Sequence, residues 1–294
     1  MTIAGHRGAI QTWIRLLRPV QWAKNVVVFA APIFGRQSDP EDVRNAIATF
    51  VLFCALSSAT YIFNDWIDIE RDRLHPVKRL RPLAAGQISP RPAIALSAVL
   101  ASGTLLVSLA ITPWLTLVLL AYAVLMTAYT LRLKQVMILD VFVISAGFLL
   151  RAIAGVAAVD VPISTWLMLC TMLLALFLGF AKRRNELTTL DKDAALHRTS
   201  LRGYTTEILD QFIVISAGSA VMAYAMYSFS ADTVPESGIM MITVPIVIFA
   251  MFRYLYLVYV RRLGGAPEIL LFRDMPLLGS IIVWGITVFA IVWG

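Results

Sequence analysis

The sequence predicts an all-α integral membrane protein that forms one polytopic domain over residues 1–294. Hydrophobic residues make up 59% of the 294 residues, charged residues only 15%, and the mean hydropathy is +0.79. A soluble chain carries about 25% charged residues. The apolar residues also fall into blocks of about twenty, the length that crosses roughly 30 Å of hydrocarbon. These observations exclude an ordinary soluble enzyme.

Nine membrane spans are predicted from these apolar blocks. They lie at 20–36, 45–63, 92–111, 113–131, 138–158, 163–181, 208–229, 239–260 and 275–293. The first is the least apolar, because Lys24 and Asn25 fall in its first turns. The two long polar segments that remain, 64–91 and 182–207, are the candidate catalytic loops.

Residues 1–19 predict a short amphipathic helix that lies in the membrane interface. Its apolar residues alternate with arginines: Ile10, Trp13, Ile14 and Leu17 against Arg7, Arg15 and Arg18. Such a helix buries one face among the lipid head groups and keeps its basic face in water.

The basic residues predict the orientation. The N-terminal segment with Lys24 and the loops 64–91, 132–137, 182–207 and 261–274 hold 21 of the 25 lysines and arginines. Cytoplasmic loops carry this excess, so we expect the N-terminus and both catalytic loops inside the cell, the C-terminus outside, and the chain in the cell membrane. The net charge of +7 follows from this rule. No stacking or groove-binding motif supports a nucleic-acid partner.

An acidic run follows the second predicted span. Asp65, Asp68 and Asp72 occur at i, i+3 and i+7, which on one helix places them within about 60° of one another. Crowded carboxylates repel each other unless a divalent cation lies among them, and oxygen ligands together with substrate phosphates favour Mg²⁺. The alternative is a solvated acidic face beside Arg71 and Arg73.

Basic residues follow the acidic run in the same loop. Lys78 and Arg81 are predicted to contact phosphate, since this layout suits a Mg²⁺-bound diphosphate: carboxylates hold the metal and cations hold the free oxygens. For Arg79 and Arg91, a phosphate contact and a role in setting the membrane orientation explain the positive charge equally well.

The loop also carries a family resemblance. The run N-D-x-x-D-x-x-x-D, followed by D-R-x-x-H-P-x-K-R-x-R-P-L-A-A-G-Q-I-S, resembles the first signature of the UbiA superfamily of intramembrane prenyltransferases. The resemblance extends from about Arg18 to the C-terminus. It implies nine helices around a central cavity with the active site at the cytoplasmic face. It also implies that Asn64, Asp65, Asp68 and Asp72 bind Mg²⁺ and diphosphate, the three aspartates as catalytic metal ligands.

The second loop departs from that family pattern. Aromatic-prenylating members carry D-x-x-x-D after span six, whereas this chain has Lys182-Arg183-Arg184-Asn185-Glu186. The nearby acidic residues Glu186, Asp191 and Asp193 do not have the required spacing. Lys182 and Glu186 are i, i+4 and suit a helix-surface pair, but three consecutive cations at the end of a span also predict a second anion site.

That departure resembles one branch of the superfamily, the actinobacterial decaprenyl-phosphate phosphoribosyltransferases. The resemblance is carried by the segments 18–25 and 129–134, by the first loop and by K-R-R-N-E-L. It implies that phosphoribosyl pyrophosphate supplies the Mg-diphosphate and that a polyprenyl phosphate is the nucleophile. The implied substrate-binding residues beyond the first loop are Lys24, Tyr129, Lys134, Lys182, Arg183, Arg184 and Glu186. We expect the three consecutive cations at the 5-phosphate and Lys24 and Lys134 near the lipid phosphate, although spacing leaves the pairing open.

Two other functions stay open. One is a polyprenyl-diphosphate:aromatic-acid prenyltransferase, and the other is a lipid-phosphate transporter, which would need polar groups on both membrane faces. A homo-oligomer is compatible with the sequence.

Two charges fall inside predicted spans. Arg151 follows Asp140 by eleven residues, nearly on the same helical face, and either lines a cavity or braces helices. Arg253 lies nearer the cytoplasmic end of its span and can snorkel.

Overall fold

The computed structural model describes residues 3–35, 39–161, 164–190, 199–230, 238–265 and 267–293. The α-helices are α1 (Ile3–Leu17), α2 (Ala30–Phe34), α3 (Pro40–Ile67), α4 (Ile69–Leu74), α5 (Pro90–Ser108), α6 (Pro113–Leu131), α7 (Leu139–Val159), α8 (Thr165–Leu190), α9 (Thr206–Ser230), α10 (Val244–Tyr259), α11 (Pro267–Arg273) and α12 (Met275–Trp293). Shorter 3₁₀ segments cover Pro19–Phe29, Lys78–Leu80, Leu133–Gln135, Thr199–Gly203 and Ile239–Thr243. These ranges contain no strand, which confirms the all-α class.

Eight helices in the described ranges are long and apolar enough to cross a membrane. They correspond to eight of the nine predicted spans, and 113–131 and 275–293 agree to the residue. The chain is therefore a multi-pass membrane protein. The second predicted span, 45–63, is longer than expected: α3 runs to Ile67, so Asn64 and Asp65 belong to its last turn and not to a loop.

The first predicted span, 20–36, is not among these eight helices. The 3₁₀ segment Pro19–Phe29 leads directly into the five-residue α2. At about 2.0 Å per residue for 3₁₀ and 1.5 Å for α, the two together reach about 30 Å, the thickness of the hydrocarbon layer. The count of nine therefore stays a prediction.

The 3₁₀ segment lies against α7 at very short range. A Cβ added to Gly155 would be only 2.0 Å from the carbonyl oxygen of Val28. Only glycine fits at this position, because real Cβ contacts are never so short.

The helices pack around two main apolar groups. The first lies where α3, α6 and α7 meet and includes Phe53, Leu119 and Tyr122. The second lies where α8, α9 and α10 meet and includes Phe177 and Tyr254. The polar residues of the candidate site lie at the helix ends that the sequence predicts to be cytoplasmic, and that orientation stays a prediction.

Helix α1 lies within the segment 1–19 and has two faces. Leu16, only 1% exposed, packs with Ile62 and Leu83, whereas Ile10 and Ile14 are exposed. Its position in the membrane interface stays a prediction.

Arg151 is buried in α7 and is bound by neutral groups. Its Nε donates to Asn25 Oδ1 at 2.7 Å, Nη1 to the Gly147 carbonyl at 2.8 Å, and Nη2 to the Tyr122 hydroxyl at 2.9 Å. Asp140, on the same face of the helix, bonds elsewhere. We call Asn25, Tyr122 and Arg151 the intramembrane clamp, because they join the 3₁₀ segment, α6 and α7.

The other lone polar groups have simple roles. Arg253 forms an ion pair with Asp274 at 2.8 Å and 3.0 Å. Cys54 is buried as expected, whereas Cys170 is only partly buried.

Candidate active site

The three aspartates do not lie on one uninterrupted helix, which the prediction from their spacing assumed. α3 ends at Ile67, and Asp68 stands between helices with φ −96° and ψ 7°. Asp65 therefore lies in the last turn of α3 and Asp72 on the short helix α4. The helix is interrupted between them at Asp68, although the N–H groups of Asp68 and Asp72 still donate to the carbonyls four residues before them, at 3.0 Å and 2.8 Å.

Asp65 and Asp72 nevertheless converge on one arginine. Arg81 Nη1 donates to Asp65 Oδ1 at 3.0 Å and to Asp72 Oδ2 at 2.6 Å. Arg18 Nη2 donates to both oxygens of Asp65, at 2.6 Å and 2.8 Å. Asp65 and Asp72 are 2% and 4% exposed, so two nearly buried carboxylates meet two arginines here.

Asp68 is held by a lysine from a different part of the chain. Lys134 Nζ, in the 3₁₀ segment after α6, donates to the two Asp68 oxygens at 2.6 Å and 2.7 Å. The same nitrogen reaches Asn64 Oδ1 at 3.3 Å, and Thr130 Oγ1 donates to that oxygen at 3.4 Å. The structure therefore brings Lys134 to the acidic run.

We call Asp65, Asp68 and Asp72 the carboxylate cluster. Its three negative charges face three cations, which offsets the high cost of burying carboxylates. Burial raises the pKa of Asp72, and the positive charge of Arg81 opposes that rise.

The donor set of the cluster fits Mg²⁺. The ion prefers carboxylate oxygens and is held in many proteins by one or two of them, with substrate phosphates completing its shell. Asp65 and Asp72 supply such a convergent pair, while Asp68 is turned toward Lys134. Within the described residues, no three metal-ligating side chains are gathered as a preformed site.

Arg183, predicted to bind phosphate, is part of a buried structural group. It is 2% exposed, and its Nε donates to Asp140 Oδ2 at 2.8 Å while Nη1 donates to Glu186 Oε2 at 2.7 Å. Asp140 also accepts from Ser200 Oγ at 3.1 Å and from the Tyr204 hydroxyl at 3.0 Å. Arg183 thus ties α8 to α7.

Arg184 faces a separate cleft. It forms an ion pair with Asp210, and its guanidinium lies 4.7 Å from the centre of the Tyr259 ring. The cleft has a volume of about 570 Å³, and Thr205 and Arg262 also line it. The predicted grouping of Arg183 with Arg184 at one phosphate is therefore not the arrangement seen, because the two side chains point to different partners.

The remaining predicted residues lie around these groups. Lys24 Nζ donates to Gln21 Oε1 at 2.5 Å. The charge of Lys78 acts on Asp72, and Tyr129 interacts electrostatically with Arg183. Lys182 is half-buried on α8, and Asp191 and Asp193 lie outside the described residues.

Arg18 is the main residue that the sequence interpretation missed. Sequence analysis placed it on the basic face of α1, but its backbone is left-handed, with φ 55° and ψ 57°, and its side chain reaches Asp65. Its guanidinium also lies 5.2 Å from the centre of the Tyr61 ring. The available signal was Pro19, since a residue before proline disfavours the α conformation and a helix ends there.

Asp140 and Tyr204 were also missed as partners. They are single polar residues 64 positions apart, and no spacing rule connects them.

Comparison with known proteins places this chain in a family. The model of the UbiA prenyltransferase family matches residues 25–273. Decaprenyl-phosphate phosphoribosyltransferase of Mycobacterium tuberculosis is 35% identical over 95% of this chain and 93% of its own length. The enzyme of the same name from Mycolicibacterium smegmatis is 39% identical over 74% of this chain and 70% of its own.

A solved structure gives the same result for the fold. A UbiA homolog from Archaeoglobus fulgidus, bound to DMAPP and Mg²⁺, superimposes with a TM-score of 0.73 at 19% identity, covering 96% of this chain and 99% of that one. Sequence and fold agree, and the chain belongs to the UbiA prenyltransferase family.

Proposed function

We propose that this protein transfers the 5-phosphoribosyl group of phosphoribosyl pyrophosphate to a polyprenyl phosphate and releases diphosphate. The carboxylate cluster with its three cations carries the proposal, because it is a site for a metal-bound diphosphate at the end of a membrane span. The named relatives support the phosphoribosyl group and the decaprenyl phosphate acceptor.

The second loop supports a sugar donor over a prenyl donor. In the described part of that loop, Arg183 and Glu186 pair with each other and Arg183 also pairs with Asp140. Arg183 therefore lies between the Asp140 and Glu186 carboxylates, so these two carboxylates hold an arginine of the protein in place of a second metal ion. A diphosphate bound through metal at the carboxylate cluster alone therefore suits the site better than one bound through metal ions at both loops.

Asp65 and Asp72 would hold Mg²⁺, with Asp68 as a third oxygen ligand after it leaves Lys134. The bound ion would neutralise charge that develops on the departing diphosphate. Arg18, Arg81 and Lys134 already lie within 3.0 Å of the cluster. As substrate binds, these three cations transfer their hydrogen bonds from carboxylate to phosphate oxygens, which stabilises the transition state.

The chemical step is a displacement at C1 of the ribose. An oxygen of the lipid phosphate forms the new bond to C1 as the bond from C1 to the diphosphate oxygen breaks. A phosphate monoester has a second pKa of about 6, so it is largely ionised at neutral pH and needs no general base. The protein contributes position and charge to this step.

The proposed setting is the cytoplasmic face of the cell membrane. The site lies where α3 leaves the membrane, and the loops around it hold most of the basic residues. The product is an activated sugar lipid of the kind used for cell-wall arabinan.

Diphosphate release from the purified protein tests the proposal. We expect release only when phosphoribosyl pyrophosphate, polyprenyl phosphate and Mg²⁺ are all present. Release from a polyprenyl diphosphate with an aromatic acid would overturn the proposal in favour of an aromatic prenyltransferase. Movement of polyprenyl phosphate across vesicles without diphosphate release would favour a transporter.

A further inference from the structure

The turn before α7 holds a strained residue. Ile138 has φ +67° and ψ −52°, a region that β-branched residues rarely occupy. The Leu139 N–H donates to the Met137 carbonyl at 2.7 Å, which closes a γ-turn with Ile138 at its centre. Positive-φ turns of this kind are rare and strained. Because Ile138 is 38% exposed, packing of its own side chain does not impose the conformation.

Hydrogen bonds from two buried residues hold the turn. The Ile138 N–H donates to the Tyr204 hydroxyl oxygen at 2.7 Å, and that hydroxyl donates to Asp140 Oδ1 at 3.0 Å. The other Asp140 oxygen accepts from Arg183 and Ser200. Strained conformations persist where surrounding contacts impose them, and this chain of bonds supplies such contacts from the second loop.

The turn determines where Lys134 stands. Lys134 belongs to the 3₁₀ segment Leu133–Gln135, and only Val136 and Met137 separate that segment from Ile138. The Asp140 N–H bonds the Val136 carbonyl at 3.0 Å, which ties the segment to the start of α7. A different turn at Ile138 would re-aim the segment and withdraw the lysine from Asp68.

We propose that Tyr204 and Asp140 are positioning residues that hold the Ile138 γ-turn and thereby fix Lys134 at the carboxylate cluster. The ammonium group is then in place for the diphosphate of the substrate. This inference rests on the proposed function in one respect, which is that the diphosphate belongs to phosphoribosyl pyrophosphate. It gives the second loop a task apart from phosphate contact: it braces the site formed by the first loop.

Binding of inorganic diphosphate with Mg²⁺ to the purified full chain tests this inference by calorimetric titration. Tyr204→Phe keeps the ring and removes the hydroxyl, and we expect about tenfold weaker binding. Thr243→Val is the matched control, since its buried hydroxyl belongs to a separate group with Tyr224, and we expect its affinity to stay within twofold of the parent. Unchanged affinity in Tyr204→Phe overturns the proposal.

A double-mutant cycle separates positioning from general damage. Lys134→Met weakens binding by itself. In that background Tyr204→Phe should add less than twofold, because its effect passes through the missing ammonium group. A further tenfold loss would show that Tyr204 acts by another route and would overturn the proposal.

Relief of the strain gives an independent test. Glycine adopts positive φ without cost, so Ile138→Gly in the Tyr204→Phe protein should restore most of the affinity. This double variant also decides the matter if Tyr204→Phe alone does not fold, and weak binding by the folded double variant counts against the proposal.

The probe separates this inference from the proposed function. Inorganic diphosphate carries no group to be transferred, so its binding does not depend on which group the enzyme transfers. If the parent protein does not transfer phosphoribosyl groups, the proposed function is refuted, but the diphosphate titration still tests the positioning role. Normal transfer together with normal diphosphate affinity in Tyr204→Phe would refute the positioning role alone.

Discussion

Replacing Arg151 with methionine tests whether the intramembrane clamp braces the helix bundle. The change removes three donated hydrogen bonds of 2.7–2.9 Å, to Asn25, Gly147 and Tyr122. An acceptor left buried without a donor costs about 1–3 kcal/mol. Methionine also removes the cost of burying the cation, which offsets part of that loss. Summed over the three acceptors, this cost is about 3–9 kcal/mol. We take the lower part of that range and expect the free energy of unfolding to fall by about 3–5 kcal/mol.

Thermal unfolding of the purified protein measures this effect. At about 2 °C per kcal/mol for a chain of this size, the Tm should fall by roughly 6–10 °C. Arg253→Met is the control, because its ion pair with Asp274 is partly exposed and screened by solvent, and we expect a clearly smaller fall.

Two results would refute the bracing role of Arg151. One is an unchanged Tm in Arg151→Met. The other is loss of activity at the parent Tm, which would place Arg151 in a substrate cavity. If bracing is correct, adding Asn25→Leu and Tyr122→Phe should recover part of the Tm, because two of the three acceptors that Arg151 served are then removed.

Three further predictions address the site and the packing. Asp65→Asn should lower diphosphate release by about 100-fold or more in protein that still folds. Asp274→Asn also loses an arginine-paired carboxylate and should keep most activity, and equal rates in the two variants would remove Asp65 from the site. Chelation with EDTA should abolish diphosphate release and added Mg²⁺ should restore it, and turnover that survives chelation contradicts the metal assignment. Gly155→Ala should destabilise the protein by about 3 kcal/mol in thermal unfolding, because the added Cβ would clash with the Val28 carbonyl. Gly103→Ala is the control, since a Cβ there meets open space, and an equal loss of stability in that variant would contradict the explanation.

Hydropathy predicted the membrane helices well because the thickness of hydrocarbon imposes one length on every span. At 20–36 it did not predict the 3₁₀ geometry, because that geometry depends on Gly155 and Arg151, which lie more than a hundred residues away. The pattern of neighbouring residues contains no signal of such contacts.

The site was predicted unevenly for the same reason. Asn64 and the carboxylate cluster form a local motif, so their types and spacing made them candidates. The break at Asp68 and the pairing of Arg183 with Asp140 depend on contacts that only the folded chain makes. Arg18 was assigned to the wrong surface because its direction is set by a left-handed backbone.

The 3₁₀ segment Pro19–Phe29 acts as a spacer of fixed length. An α-helix of the same eleven residues would be about 5.5 Å shorter. That contraction is about twice the 2.6 Å between Arg18 Nη2 and Asp65 Oδ1. A change of the segment from 3₁₀ to α-helix would therefore pull Arg18 out of the site. Asn25, held by Arg151 at the middle of the spacer, therefore sets the reach of an arginine at the membrane surface from deep within the bilayer.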